Sequence, residues 1–181
     1  IKAVNVDSLK KVLKGSDNIQ SALARIELAR HFMQVDTVKA LKELNGIIIS
    51  ELDLNQIESK EIVTSKLNLL KALDNQALYR LKSRQVLNNQ VTYQDTLFRY
   101  TIQNDLVEEY LYAYQYDSAL IYVTSLMTFL ENSTFKTELV KVIYRKSVIH
   151  CSLGDYEDAL ELIFRAIEQS EHFDDEVQLG K

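Results

Sequence analysis

Residues 108–123 read EEYLYAYQYDSALIYV, and the fold turns on how they are taken. Tyr110, Tyr112, Tyr114 and Tyr116 recur at every second position, as along one face of a β-strand. Yet Asp117-Ser118-Ala119-Leu120, directly after them, looks like the opening of a helix. On a helix, Tyr110 and Tyr114 share a face with Leu106 and Val107, and Tyr112 lies about 200° from Tyr110. Tyr116 then falls in a turn, where it plugs the space between two helices. The flanking segments carry a 3.6-residue period and offer no partner strand. The stretch therefore reads as the corner of a helical hairpin.

Composition supports helices elsewhere. Proline is absent and glycine occurs only 4 times in 181 residues, which few sheet-rich folds manage. That length suits one domain with a sizeable core. A net charge of −5 speaks against nucleic acid or an anionic membrane as the main partner. Cys151 is the single cysteine, so no intrachain disulfide and no CxxC metal or redox motif can form. The longest purely apolar run, Ile47-Ile48-Ile49, is far short of the ~20 residues of a membrane span. No secretory signal is visible, and the chain begins at Ile1 rather than methionine. A processed or excised piece of a longer protein is expected, with any membrane attachment in the missing segments.

Ala-Leu pairs after short polar turns supply the organisation, at Ala40, Ala77, Ala119 and Ala159. Their spacings are 37, 42 and 40 residues, while two further pairs at Ala22 and Ala72 fall outside the register. Four residues after each in-register alanine stand Leu44, Leu81, Val123 and Ile163; seven after stand Ile47, Arg84, Leu126 and Ala166. Apolar residues at such offsets form one helical face, and Arg84 marks the second unit as the weak one. An amphipathic stretch precedes each of these helices. The layout is helix, tight turn, helix, repeated in units of approximately 16–54, 58–90, 94–132 and 134–172. A short helix over DSLKKVLKG caps the N-terminal end. Asp36, Asp117 and Asp155 are the expected N-caps, with Asp158 as an acidic capping-box partner of Asp155.

The last unit, SVIHCSLGDYEDALELIFRAI, resembles a tetratricopeptide (TPR) repeat. Ser147, Gly154, Tyr156, Ala159 and Ala166 fill the pattern, with His150 where tyrosine is usual. In the third unit Tyr110, Tyr116 and Ala119 match, Tyr114 replaces the glycine and Leu126 the second small residue. The first unit is one residue short between its small residue and its alanine. NDLVEEYLYAYQYDSALIYV (104–123), with the opening VDSLKKVLKGSDNIQSALARIELARHF (6–32), is also similar to the TPR-like regions of certain bacterial membrane-anchored regulators. There the repeats lie outside the cytoplasmic membrane, ahead of a transmembrane helix and a signalling part.

The resemblance implies an all-α, right-handed superhelix of about four TPR-like hairpins over 1–181. It implies a concave surface lined by the first helix of each hairpin, including Asn104, Glu108, Leu111 and Tyr112, then Lys141, Tyr144 and Val148. Tyrosines beside a few charges suit a protein or peptide ligand. Glu108 and Val148 speak against a clamp for a C-terminal carboxylate.

Catalytic chemistry finds little support. His31, His150 and His172 are isolated, and no HExxH, phosphate-binding GxxxxGK[ST] or GxGxxG motif occurs. His150 and Cys151 are adjacent and so point about 100° apart on a helix, which disfavours a catalytic pair. Glu108-Glu109 and Asp174-Asp175 read as solvated faces, as does the basic YRLKSR stretch with Arg80, Lys82 and Arg84. Asn132-Ser133-Thr134 fits a glycosylation sequon in an inter-helix turn. The expectation is a non-enzymatic, cofactor-free interaction module that leaves a homodimer open. Its place is the periplasmic sensor segment of a membrane-anchored regulator, or alternatively a cytoplasmic scaffold or peptide-sensing adaptor.

Overall fold

The structure, a computed structural model, describes residues 5–13, 18–89 and 95–178. Among these residues are nine α-helices and no strand. They are α1 (Val6–Val12), α2 (Asn18–Met33), α3 (Thr37–Asn45), α4 (Ile57–Ala72) and α5 (Gln76–Leu87), followed by α6 (Thr96–Tyr112), α7 (Tyr116–Glu131), α8 (Lys136–Leu153) and α9 (Tyr156–Gln178). The all-α class is as the 3.6-residue period predicts. The chain divides into two compact units, residues 1–99 and 100–181. The expected starts of the first and third repeats, residues 16 and 94, lie outside the described residues.

In the first unit α2 packs on α1, α3 and α4, and α4 packs on α5. Leu28, Leu44, Leu54, Ile62, Leu67 and Leu70 fill its core. Asp36 caps α3, its carboxylate accepting from the Lys39 N–H at 3.0 Å. Asn75 caps α5 in the same way, accepting from the Leu78 N–H at 3.2 Å. The core also holds Lys66, wholly buried, whose ammonium donates to the Ile47 carbonyl at 2.6 Å. Burial, and secondarily the charge of Lys82, lowers its pKa to about 8.

The register in α5 differs from the expected one. Ala77 and Leu81 are exposed, while Tyr79, Ser83 and Val86 are buried. Each hairpin's second helix begins three residues before its core position: Thr37 before Ala40, Gln76 before Tyr79, Tyr116 before Ala119, Tyr156 before Ala159. The spacings thus become 39, 40 and 40 residues. Here Tyr79 stands where the other hairpins have alanine, so a dipeptide search lands two residues early.

In the second unit α8 packs on α7 and on α9. Between α6 and α7, the Gln103 carboxamide donates to the Tyr122 carbonyl at 3.0 Å. The Tyr110 ring stacks on Tyr122, with centroids 5.5 Å apart and planes 12° from parallel. Leu106, Val107, Leu126, Leu130 and Ile143 complete the core around Ala119 and Ala159.

Three hairpin corners are built alike, at forty-residue intervals. Asp74, Tyr114 and Gly154 adopt the left-handed conformation, at φ 54°, 55° and 89°. The N–H of the next residue bonds back five positions, closing a six-residue turn: Asn75 to Leu70 (3.1 Å), Gln115 to Tyr110 (2.9 Å), Asp155 to His150 (2.9 Å). These are Schellman ends, which satisfy carbonyls the helix would leave orphaned. The corner after α2 closes with a shorter turn, Asp36 N–H to Phe32 carbonyl at 2.7 Å. It is the hairpin that the spacing marks as one residue short.

This geometry corrects the tyrosine assignments. α6 ends at Tyr112, so Tyr114 belongs to the turn and does not share a helical face with Tyr110. Tyr116 is the first residue of α7, and its ring meets Tyr114 edge-on at 6.3 Å. Asp117 stands within the first turn of α7 rather than at its cap, which is Gln115.

Candidate functional site

The residues expected to line a binding surface lie on α6 and α8, the first helices of the third and fourth hairpins. Asn104, Glu108, Leu111 and Tyr112 follow one another at intervals that keep them on one side of α6. Lys141, Tyr144 and Val148 do the same on α8. Arg145, which the sequence reading does not single out, joins the two stripes. Its guanidinium donates to the Asn104 side-chain carbonyl and, at 2.9 Å, to a Glu108 carboxylate oxygen. One planar fork thus fixes two acceptors one turn apart on the neighbouring helix. The sequence signal was a basic residue on the Lys141–Val148 stripe opposite an acidic one on α6. Only the hairpin register reveals it.

Around this tie the surface is aromatic and open. Tyr112 is 78% and Tyr144 59% exposed, so neither packs into a neighbouring hairpin. Glu108, Leu111, Tyr112 and Tyr114 line a shallow cleft of about 400 Å³. Lys141 and Val148 are exposed on α8, on the stripe that carries Arg145. Half-buried Tyr100 stands one turn before Asn104, its phenol pushed above the usual range by burial and then by the Glu138 charge. The arrangement offers flat aromatic area, a carboxylate and a cation, which is the equipment for holding a peptide.

Other features sort differently from expectation. Glu109 is buried and Glu108 paired, so this acidic couple is not a solvated face. The side chains of Asp174 and Asp175 lie outside the described residues. Cys151 is exposed, whereas His150 is buried at the α8–α9 corner. The His150 Nδ1 stands 3.5 Å from Asp155 and 3.7 Å from Asp158. That places the ring against the opening of α9, away from a thiol partner. Asn132 is the C-cap of α7, which puts the sequon in an inter-helix turn. In the first unit a second cleft, about 480 Å³, is lined by residues that include Asn45, Ser50, Lys82, Gln85 and Asn88 and the Ile47–Ile49 segment. Lys82 of the basic stretch faces this cleft, half-buried, rather than belonging to a broad positive field. No described helix is long and apolar enough to cross a membrane.

No curated protein matches the chain. A family model described as the SusR N-terminal TPR domain matches residues 68–177, well over half its length and spanning all three left-handed corners. The chain belongs to this family of TPR-type helical repeats, whose domains mediate protein–protein interaction and are typically non-catalytic.

Proposed function

We propose that the α6–α8 surface grips a peptide or a segment of a partner protein, and that the domain is the extracytoplasmic sensor segment of a bacterial membrane-anchored signalling regulator. The observation that carries the binding site is the exposure of Tyr112 and Tyr144 beside the Arg145 tie. Large rigid rings gain contact area at low entropic cost, and here they flank a polar fixture that can orient a ligand amide or charge. Net charge of −5 and scattered cations favour peptide over nucleic acid. The sensor reading is supported by the likeness of residues 104–123 to such regulators and by a family description naming an N-terminal domain. Ligand would act by favouring one curvature of the stack, or a homodimer, since each repeat meets only its neighbours and small rotations accumulate.

A peptide library screened against the chain tests the site, with hits titrated by fluorescence anisotropy. Tyr112→Ala and Tyr144→Ala should each weaken binding about tenfold while leaving the melting temperature unchanged. Undiminished affinity in both variants sinks the groove. The location has its own test. Fractionation of the native gene product, with protease protection in intact cells, should place this segment outside the cytoplasmic membrane. A soluble cytoplasmic product replaces the sensor by a peptide-sensing adaptor.

A further inference from the structure

The 480 Å³ cleft of the first unit lies between the chain leaving α3 and the last turns of α5, and its chemistry is one-sided. The described residues that line it include one cation, Lys82, and no carboxylate. Asn45, Gln85 and Asn88 add carboxamides, and Ser50 adds a hydroxyl. Lys82 is half-buried, and its ammonium donates to the Gln85 side-chain carbonyl at 3.1 Å. With that oxygen taken, Gln85 has its NH2 left to offer, so this part of the cleft presents donors. At the adjoining helix ends several carbonyls are already engaged. The Gly46 N–H bonds to the Lys42 and Glu43 carbonyls, Ile47 to Leu44, Asn88 to Arg84 and Asn89 to Val86.

A second cation stands behind the cleft wall. Lys66, wholly buried on α4, donates to the carbonyl of Ile47, a residue of the lining. The two ammonium groups feel each other, since the Lys82 charge helps to lower the Lys66 pKa. Neither has a carboxylate partner among the described residues. Two like charges near one another, one of them in the core, are stabilised by an anion placed beside them. A perturbed ammonium next to a cleft is also the electrostatic mark of a functional site. We infer that this cleft binds a small organic acid, with its carboxylate on the Lys82 ammonium and the Gln85 NH2 and with Lys66 as a second positive charge behind. Asn45, Ser50 and Asn88 would take the polar substituents of that acid. The volume falls in the range of about 300–1,000 Å³ typical of small-molecule sites. The cleft lies in the first unit, so this assignment stands or falls independently of the α6–α8 groove.

The probes are glutarate, citrate and gluconate, titrated as sodium salts into the 181-residue chain by calorimetry, with sodium chloride of matched ionic strength as the control. At least one acid should bind saturably, about tenfold or more weaker in Lys82→Met and about threefold weaker in Gln85→Ala. Both residues lie off the buried Tyr79–Ser83–Val86 face of α5, so melting should match the parent. An anion beside Lys66 favours its charged form, so binding at about pH 8.5 should take up protons from the buffer. The heat should then differ between Tris and EPPS, whose ionisation enthalpies differ, and the difference should vanish in Lys66→Met. No binding by any of the three acids overturns the assignment. So does an affinity indifferent to Lys82→Met, or a response that sodium chloride reproduces. Equal heats in the two buffers overturn the part given to Lys66.

Discussion

Residues 18–89 and residues 100–172 build the same helical hairpins and fasten them by opposite means. In the first unit the chain leaving α3 is tied to α4 by a wholly buried ammonium, Lys66 on the Ile47 carbonyl. In the second, α6 and α8 are tied near the surface by the Arg145 guanidinium on Asn104 and Glu108. A buried ammonium has lost its water and keeps its charge only at a cost, which is why its pKa falls to about 8. A guanidinium at a half-open site keeps part of its hydration and a geometry matched to two acceptors. The first tie is a fixture of the core. The second stands in the proposed ligand surface, where a binding partner could compete for it.

The largest expected effect concerns the register. Ala119→Glu or Ala159→Glu forces a carboxylate into a closed helix contact and should cost about 4 kcal/mol or more, collapsing the second unit in a thermal melt. Ala77→Glu, at the alanine of the Ala-Leu spacing, should leave the melt within about 0.5 kcal/mol because the position is exposed. Equal losses at 77 and 119 would restore the alanine register and discard the forty-residue one.

Next comes the buried lysine. The folded pKa of Lys66 lies below its ordinary 10.5, so the unfolded chain binds the extra proton, and stability from this group rises as pH climbs from about 8 toward 10.5. The rise should reach about 3 kcal/mol at most. It should be missing from Lys66→Met, measured as the wild-type-minus-variant difference in urea midpoints at pH 7.5 and 10. Parallel pH profiles would mean that the ammonium is not desolvated.

The corners give a smaller, signed pair. Gly154→Ala has open space for its methyl group but a φ of 89°, so it should destabilise by about 1 kcal/mol from backbone strain alone. Tyr114→Gly relieves the corresponding strain at φ 55° and should stabilise by up to about 1 kcal/mol, while removing one wall of the 400 Å³ cleft and weakening peptide binding. Two changes of the same sign would break the equivalence of the corners. Smallest is the surface tie: Arg145→Ala should cost about 1 kcal/mol in denaturant unfolding. Lysine there should recover less than half of it, since one ammonium cannot present the fork to both Asn104 and Glu108.

The helices were legible because amphipathic stretches and polar turns alternate through the whole chain, and Asp36 was legible as a cap because its side chain acts within one turn. The left-handed corners were not read from the sequence: Gly154 entered only as a match to the repeat pattern, and a Schellman end holds Asp74 and Tyr114 as well, at a strain cost. Tyr79 hid the second repeat because the core position that holds alanine in the other hairpins holds a large buried ring here, with Ser83 four residues on where the others carry an aliphatic. Arg145 and Lys66 escaped notice for a common reason. A cation on an amphipathic helix ordinarily faces water, and only the packing of one hairpin on the next shows which one does not. The candidate surface itself could be listed residue by residue from the repeat register, yet the exposure of Tyr112 and Tyr144 is seen only in the fold.

Tyr114 carries a last consequence. A backbone held in a costly conformation is released when its corner opens, so opening there costs less than at an otherwise identical corner closed by glycine. In native-state hydrogen exchange, the Gln115 amide should trade its proton for deuterium sooner than the Asp155 amide, though both make the same six-residue bond. The corner whose aromatic ring lines the proposed ligand surface should then also be the one that breathes. A ligand gripping Tyr114 would be read out as slowed exchange forty residues from a corner that does not change.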